Sequence, residues 1–461
     1  MHIERLDGLT SNKAATLLCQ APDLIWLDSA AGDHPASQYA YLCLNACTRA
    51  IVHRSGVTVD GTYQDGAPLD LLRDWFGQHK ISHDEALPPF QGGAVGYLSY
   101  DFGHGLVDGL EQAGSEDREV LGEFAIYDTL IAFEMNSDRV WLISHGLDTE
   151  IGQASQALAS TRADAVKTSL ASPPSDPQAP ALNWQFNGER ASFLRKVRAA
   201  QHYIREGDIY QANLAERFSA AIEPGQSLFA TYLDMRSASP APFGAFARFS
   251  DRTLASTSPE RLVSLSANGL ATAQPIKGTI TRGADPSADM KLQKQLLASQ
   301  KDRAENLMIV DLLRNDLSRV CAPHTVNTPS LCKLETFTGL HHLTSTVTGQ
   351  LRAGHDGFDL LAAVFPGGSI TGAPKQRAME IITELEDRPR GTYCGSLGYI
   401  CFDGALDFNI LIRTAEFRAG EVTYATGAGI TLPSDPDREF EEIMLKAARI
   451  TGLALTDAPS T

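Results

Sequence analysis

One lysine stands out for the residues around it. In residues 274–282, QPIKGTITR, Lys277 lies between Ile276 and Gly278, with Thr279 next. Residues 271–276 ahead of it read as a short strand of low polarity, and Pro275 limits ladder bonding, which places it at a strand end or edge. Gly278 lets another group approach the backbone closely. Lys277 is thus expected at a strand end beside open backbone, where a buried ammonium can lose its proton and act as a nucleophile. The competing reading, an ordinary surface lysine, is the commoner fate of a Lys-Gly pair.

Three carboxylates suggest a cation site. In DRAENLMIVDLLRND, Glu305 sits one turn before Met308 and Ile309, which with Leu312 make an apolar helical face, so Glu305 points to the core side. In DPDREFEEIMLKA, Glu439 and Glu442 are three apart on one helical face, and Lys446 follows Glu442 by four. Two helices delivering inward carboxylates suit Mg2+, which takes one or two carboxylates and leaves coordination free for water or substrate oxygens. The alternative is that Glu442 and Lys446 form only a solvated pair. Residues 426–430, TGAGI, read as the end of a strand whose successive N–H groups could cradle a carboxylate, although a lone GxG is more often a plain turn. Arg413 closes the apolar strand Ile410-Leu411-Ile412 and must be paired or meet an anion. The glycine-rich PGGSITGAPK at 366–375 lacks the GxxxxGK[ST] pattern, so a nucleotide is rejected. GxSxG, HExxH and Cys/His zinc spacings are absent.

The elements that must carry these residues are legible in part. Residues 127–135 and 139–144 read as a hairpin turning at 136–138. Phe193, Val197, Ala200 and Ile204 recur at helical spacing, with Gly207 as the stop. Strands are expected at 262–265 and 270–276 around an Asn-Gly turn, at 395–402 and 406–417 around Asp403-Gly404, and at 422–426. Helices are expected at about 287–299 and 303–319, after Pro374 as first helical residue, and from Asp435-Pro436 to about Thr451. Strands in runs mixed with packed helices predict an α+β fold, antiparallel β-sheets packed against helices. Residues 1–150, with short apolar runs at 24–27, 38–44 and 93–99, form one expected domain. Residues 151–184 are an expected linker, with an Ala-rich helix at 153–164 and the Pro/Ser stretch SPPSDPQAP at 172–180. Residues 185–455 form the second, catalytic domain.

Composition sets the outer limits. The chain has 461 residues, 43% hydrophobic and 21% charged, enough for a sizeable core in two or three domains. A net charge of −17 argues against nucleic acid or an anionic membrane as partner, so an anionic substrate would need local positive contacts. No apolar run approaches the length of a membrane span, and the start MHIERLDGLT carries charges of both signs rather than a secretory core. Seven cysteines without CxxC pairs point to reduced thiols and a cytoplasmic protein.

PIKGT, ENLMIVDLLRND, PGGSITGAPK, GAGI and SDPDREFEE stand in the order and spacing of the chorismate-utilising enzymes, and the chain resembles that family over nearly its whole length. Within it, the aminodeoxychorismate synthase component I branch is the most similar, with anthranilate synthase component I and the isochorismate and salicylate synthases as relatives. WLDSAAGDHP and FQGGAVGYLSYDFG resemble the N-terminal domain of the anthranilate synthase component I type. The resemblance implies roles residue by residue. Glu305 and Glu442 match Mg2+ ligands, with Glu439 beside them through water. Arg413, Tyr393 and the backbone of Gly427, Ala428 and Gly429 match contacts to the substrate carboxylates, and Lys446 a basic residue near the ring carboxylate. His342 and Ser369 match polar residues of the pocket wall, and Thr279 adjoins the lysine. Glu260, in SPE, matches the acid that protonates the departing ring hydroxyl, which calls for a raised pKa.

Two positions separate the relatives. The PIKGT lysine is typically alanine in anthranilate synthases, where ammonia attacks the ring directly. In aminodeoxychorismate synthases it attacks C2 first, and ammonia at C4 then displaces it; Lys277 favours this branch. Isochorismate and salicylate synthases carry a lysine base where this chain has Gln211, which cannot deprotonate water. A glutaminase signature is absent, so the resemblance implies ammonia from a separate glutamine amidotransferase subunit. The expected activity is conversion of chorismate and ammonia to 4-amino-4-deoxychorismate for p-aminobenzoate and folate synthesis. The alternatives are an anthranilate synthase component I or a non-catalytic amidotransferase-binding subunit. Relatives hold tryptophan in the N-terminal domain, and Leu27-Asp28-Ser29 resembles the serine-bearing segment there, which makes Ser29 a candidate tryptophan contact.

Overall fold

The computed structural model describes all residues except 7, 33, 80, 82, 108–109, 111–118, 150–151, 172–178, 338–339 and 454–461. Most of the Pro/Ser stretch at 172–180 and the end of the 185–455 segment therefore lie outside the described residues. Two twelve-stranded antiparallel sheets carry the fold. Each draws strands from both halves of the chain. In the first, Ile25–Asp28 pairs with Phe243–Arg248, setting Leu27 opposite Ala245. In the second, Gly93–Leu98 pairs with Ser396–Cys401, setting Gly96 opposite Gly398. Segments 1–150 and 185–455 thus share both sheets. Between them, Gln156–Leu170 is helical beyond the expected 153–164 and buries Ala159, Ala163 and Val166.

Side-chain alternation along the strands builds the layers. Ile25, Val95 and Tyr97 point into an apolar layer between the two sheets. Their neighbours Trp26, Ala94 and Leu98 point outward into cores covered by helices. The first sheet lies under Arg190–Glu206 and Pro436–Thr451, among others, and the second under Gln300–Ser318 and Gly357–Val364. The fold is α+β, with antiparallel sheets packed against helices. All seven cysteines are unpaired. No helix among the described residues is long and apolar enough to cross a membrane.

The helices that matter for the site start and stop by local chemistry. Asp435 accepts the N–H groups of Asp437 and Arg438, Pro436 takes the first helical position, and Gly452 ends the helix at φ +70°. Two strand expectations are corrected. Residues 406–417 are not one strand: Leu406–Asn409 belongs to the second sheet and Thr414–Arg418 to the first, and the chain crosses between them at 410–413. Residues 271–276 likewise divide into Leu270–Ala273 and the start of Ile276–Thr281, with Pro275 between them giving its carbonyl to Ser345 N–H at 3.2 Å. A third correction is smaller: Pro374 is the N-cap of Lys375–Glu386 rather than its first residue.

Candidate active site

The catalytic candidates meet where the chain switches sheets. Thr253–Ser258 lies in the first sheet and Arg261–Leu265 in the second, with Glu260 at the corner. The crossover at 410–413 runs beside it and delivers Arg413 at φ +52°. The two corners are bonded to each other. Ile410 N–H donates to Glu260 O at 3.0 Å, Thr257 N–H to Arg413 O at 3.0 Å, and Ser258 Oγ to Ile410 O at 2.6 Å. A carboxylate and a guanidinium are thereby fixed on one cavity of about 440 Å3.

Lys277 is the second residue of Ile276–Thr281, near the start of that strand rather than at the end of the expected 271–276 strand. Pairing with Leu340–Gln350 slips in register between Ile276 and Thr279, and this irregularity carries Lys277 and Gly278. Gly278 has φ +82°, and a Cβ there would come within 2.9 Å of the Asp302 side chain, so only glycine lets the helix Gln300–Ser318 lie this close. Lys277 Nζ donates to Ser369 O at 3.3 Å. Burial pushes the Lys277 ammonium below its ordinary value, against the pull of Glu305 and Glu260. Burial pushes Glu260 the other way, against the opposing influence of Ser369 and Lys277.

Glu305, Glu439 and Glu442 all line the same cavity. Glu305 Oε1 is buried and without a hydrogen-bond partner. Glu439 is buried, and burial raises its pKa, as it does that of Glu305; the charge of Glu442 adds to both. Glu442 and Lys446 pair at 2.7 Å and are about half exposed, the solvated pair that helical spacing allows. Lys446 Nζ also donates to Gly427 O at 2.9 Å, which ties the helix to the cavity wall.

Residues 426–430 do end a strand, as expected, but they form no nest of N–H groups. They lie inside the long strand Glu421–Ile430, paired with Gln211–Ala221, so their N–H groups alternate between the two edges rather than converging. Pairing with Thr414–Arg418 on the other edge stops at Tyr424. Gly427 and Gly429 line the cavity, whereas Ala428 turns its methyl into the helix-covered core and has only its backbone to offer. A Cβ on Gly427 would meet the Tyr393 hydroxyl at 2.9 Å. Arg413 donates to Ser239 Oγ at 3.3 Å, and burial lowers its pKa. Thr279 Oγ1 and His342 Nδ1 are 2.7 Å apart, and burial, with Arg413 nearby, pushes His342 down to about 4, leaving it neutral.

Thirteen of the fifteen expected site residues thus line one cavity; Ala428 turns its side chain away from it, and Ser29 lies elsewhere. It lines a separate cavity of about 390 Å3 with Tyr39, Pro242 and Arg261. Its hydroxyl is 2.6 Å from Tyr39 O and 3.2 Å from Pro242 O. Sequence reasoning missed Asn213 and Ser239, which also line the catalytic cavity. Asn213 stands two residues beyond Gln211 and shares its strand face, a signal that was available; Ser239 lies in the turn-like SASP and offers none. Lys375, from the glycine-rich stretch, is structural: it bonds Asp316 at 2.8 Å and Val364 O at 3.0 Å.

A family profile described as chorismate binding enzyme matches residues 26–452. Aminodeoxychorismate synthase component 1 of Escherichia coli (strain K12) is 38% identical over 444 residues, covering 94% of this chain and 93% of that one. Anthranilate synthase component 1 of Aquifex aeolicus (strain VF5) is 32% identical, covering 92% and 87%. The crystal structure of anthranilate synthase component I from Streptococcus pneumoniae TIGR4 superposes with a TM-score of 0.79 at 30% identity, covering 91% and 93%. With a profile spanning nearly all of its length and relatives matched almost end to end, this chain belongs to the chorismate-binding enzyme family.

Proposed function

We propose that this chain is the chorismate-aminating component of an aminodeoxychorismate synthase, forming 4-amino-4-deoxychorismate and water from chorismate and ammonia. The observation that carries this reading is Lys277 and Glu260 on one cavity, with burial driving the lysine toward the neutral amine and the glutamate toward the neutral acid. A free lysine is neutral in fewer than about one molecule in a thousand at pH 7, so the shift decides whether attack is possible. A neutral amine beside a protonated acid holds the same number of protons as an ion pair, and a dry site favours the neutral arrangement. In the first step Lys277 Nζ bonds to ring carbon C2 while the C4 hydroxyl departs as water, taking its proton from Glu260; the lysine nitrogen then returns one proton to the Glu260 carboxylate. Ammonia then bonds at C4 and the C2–lysine bond breaks, restoring the amine.

Chorismate is a dianion, and Arg413, short of a carboxylate partner among the described residues, supports its binding. Glu305 and Glu442, with Glu439 alongside, would hold Mg2+. Glu305 Oε1, buried without a hydrogen-bond partner and with Lys301 Nζ 3.8 Å away, is an oxygen open to such an ion, although the described residues hold no cluster of three ligands already drawn together. When bound, the metal would offset the charge of the substrate's carboxylates. Ammonia would come from a glutamine amidotransferase component, in keeping with the component 1 name of the Escherichia coli relative. The Ser29 cavity is proposed to take tryptophan; calorimetric titration showing no heat would remove that assignment. For the main reading, the pure chain is incubated with chorismate, Mg2+ and ammonium, and the product identified by mass. Aminodeoxychorismate is expected, without glutamine use. An aromatic product with pyruvate release would instead make the chain an anthranilate synthase.

A further inference from the structure

The face that Pro436–Thr451 turns to the catalytic cavity does not end at Lys446. Glu439, Glu442, Lys446 and Arg449 all line the cavity, and their spacing is that of one helical face. Arg449 alone among them has no assigned part. No hydrogen bond or ion pair reaches its guanidinium among the described residues, whereas Glu442 and Lys446 pair one turn earlier. Arg413 lines the same cavity and has Ser239 but no carboxylate. The two guanidiniums sense each other. Burial is the main influence lowering the Arg413 pKa; Tyr424 opposes it, and the charge of Arg449 lowers it further, outweighing the upward pull of Glu260. Tyr424, also on the cavity wall, lies within reach of both charges. In a chain of net charge −17, two arginines left without a counter-ion on one cavity stand apart from the rest. A cation in a last helical turn is ordinary on a solvent-facing side, where it suits the negative end of the helix. On the cavity side, opposite a second unpaired arginine, it calls for an anion.

We infer that Arg449 is a substrate-binding residue that shares one chorismate carboxylate with Arg413; the inference rests on chorismate being the substrate, as proposed above. A carboxylate between the two guanidiniums turns their repulsion into two attractions, and the planar fork of each matches its two oxygens. The two contacts differ in kind. Arg413 comes from a crossover bonded into the sheet corner, Thr257 N–H holding its carbonyl at 3.0 Å, and so gives a fixed contact. Arg449 keeps solvent contact on the last turn of its helix and closes on the anion from the outside. Lys446, one turn back, is left for the second carboxylate of the dianion.

The test is steady-state kinetics with chorismate, Mg2+ and ammonium on wild type, Arg449→Met, Arg413→Met and the double variant. Arg449→Met should raise the chorismate KM about tenfold and leave kcat within about twofold, as expected when a charge-assisted bond made equally in ground and transition states is lost. Its melting temperature should hold. Arg449→Lys, which keeps the charge without the fork, should fall between Arg449→Met and wild type. The double variant should lose less in kcat/KM than the product of the two single losses, because one carboxylate is released only once. Losses that simply multiply would overturn the shared carboxylate. An unchanged KM in Arg449→Met, or a fall in melting temperature that tracks the KM rise in both Arg449 variants, would overturn the binding role. Product identity separates this inference from the reading it rests on. Anthranilate formed with the same KM pattern would remove the amination reading and keep Arg449, whereas aminodeoxychorismate formed at an unchanged KM would do the reverse.

Discussion

Two arginines, buried Arg390 beside Tyr393 and partly exposed Arg413 on the cavity that Tyr393 lines, obey different rules. Arg390 is matched on every side. It bonds Glu386 at 2.8 and 2.6 Å and Ile370 O at 3.0 Å, and it packs over the rings of Tyr100 and Tyr393. Burial alone would oppose its charge, but Glu386 more than offsets this and holds it well above the usual value. Arg413, facing the cavity, has Ser239 and no close carboxylate among the described residues, and burial wins. The same contrast separates the regions around them. Behind Tyr393, Asp101 accepts the backbone N–H groups of Arg390 and Gly391, which oppose the upward push that burial gives its pKa. In the cavity, Lys277, Glu260 and Glu305 are shifted toward neutrality and Glu305 Oε1 has no hydrogen-bond partner, only Lys301 Nζ at 3.8 Å. Satisfied buried charge holds the fold together; unsatisfied buried charge is kept for a ligand.

If that division is right, substitutions on the two sides should fail in different ways. The largest effect is expected for Lys277→Ala. It should lower aminodeoxychorismate formation by ~10³-fold or more, as for loss of a covalent nucleophile, while the melting temperature holds or rises because a poorly paired buried amine is gone. Next is Glu260→Gln, which should slow adduct formation by ~10²–10⁴-fold through loss of a general acid. It should also flatten the alkaline limb of the pH profile, because wild-type Glu260, its pKa raised by burial, loses the proton it must donate as pH rises, whereas the amide has none to lose. An alkaline limb that stays in place would mean that Glu260 is not the acid. Glu305→Gln and Glu442→Gln should each remove most activity with little change in melting temperature, and EDTA should do the same to wild type. Full activity in EDTA would end the metal assignment. On the other side, Arg390→Met should cost about 3–5 kcal/mol in urea unfolding, because it strands Glu386 without its partner. A loss under ~1 kcal/mol would mean the pairing behind Tyr393 is not structural after all.

The parts of the site that were legible in the sequence are those with local causes. Glu305, Glu439, Glu442 and Lys446 sit on helices whose caps and three-to-four spacing involve only near neighbours. Lys277 was legible as a residue but not as a place, because its strand depends on pairing with Leu340–Gln350, some sixty residues on. Arg413 was misplaced for a related reason. Residues 410–413 look like the middle of an apolar strand, and only the two sheets, claiming the segments on either side, break it there. Glu260 had no local signal, and the family resemblance alone supplied it.

The central claim is that Lys277 forms a covalent bond to the ring. Wild-type enzyme incubated with chorismate and Mg2+ but without ammonia, then digested and weighed peptide by peptide, tests it directly. The account predicts a mass increment of chorismate minus water on the peptide holding Lys277, cleared when ammonium is added. An adduct on another residue, or a Lys277→Ala enzyme that makes aminodeoxychorismate at the wild-type rate, would contradict it and reduce Lys277 to an electrostatic contact.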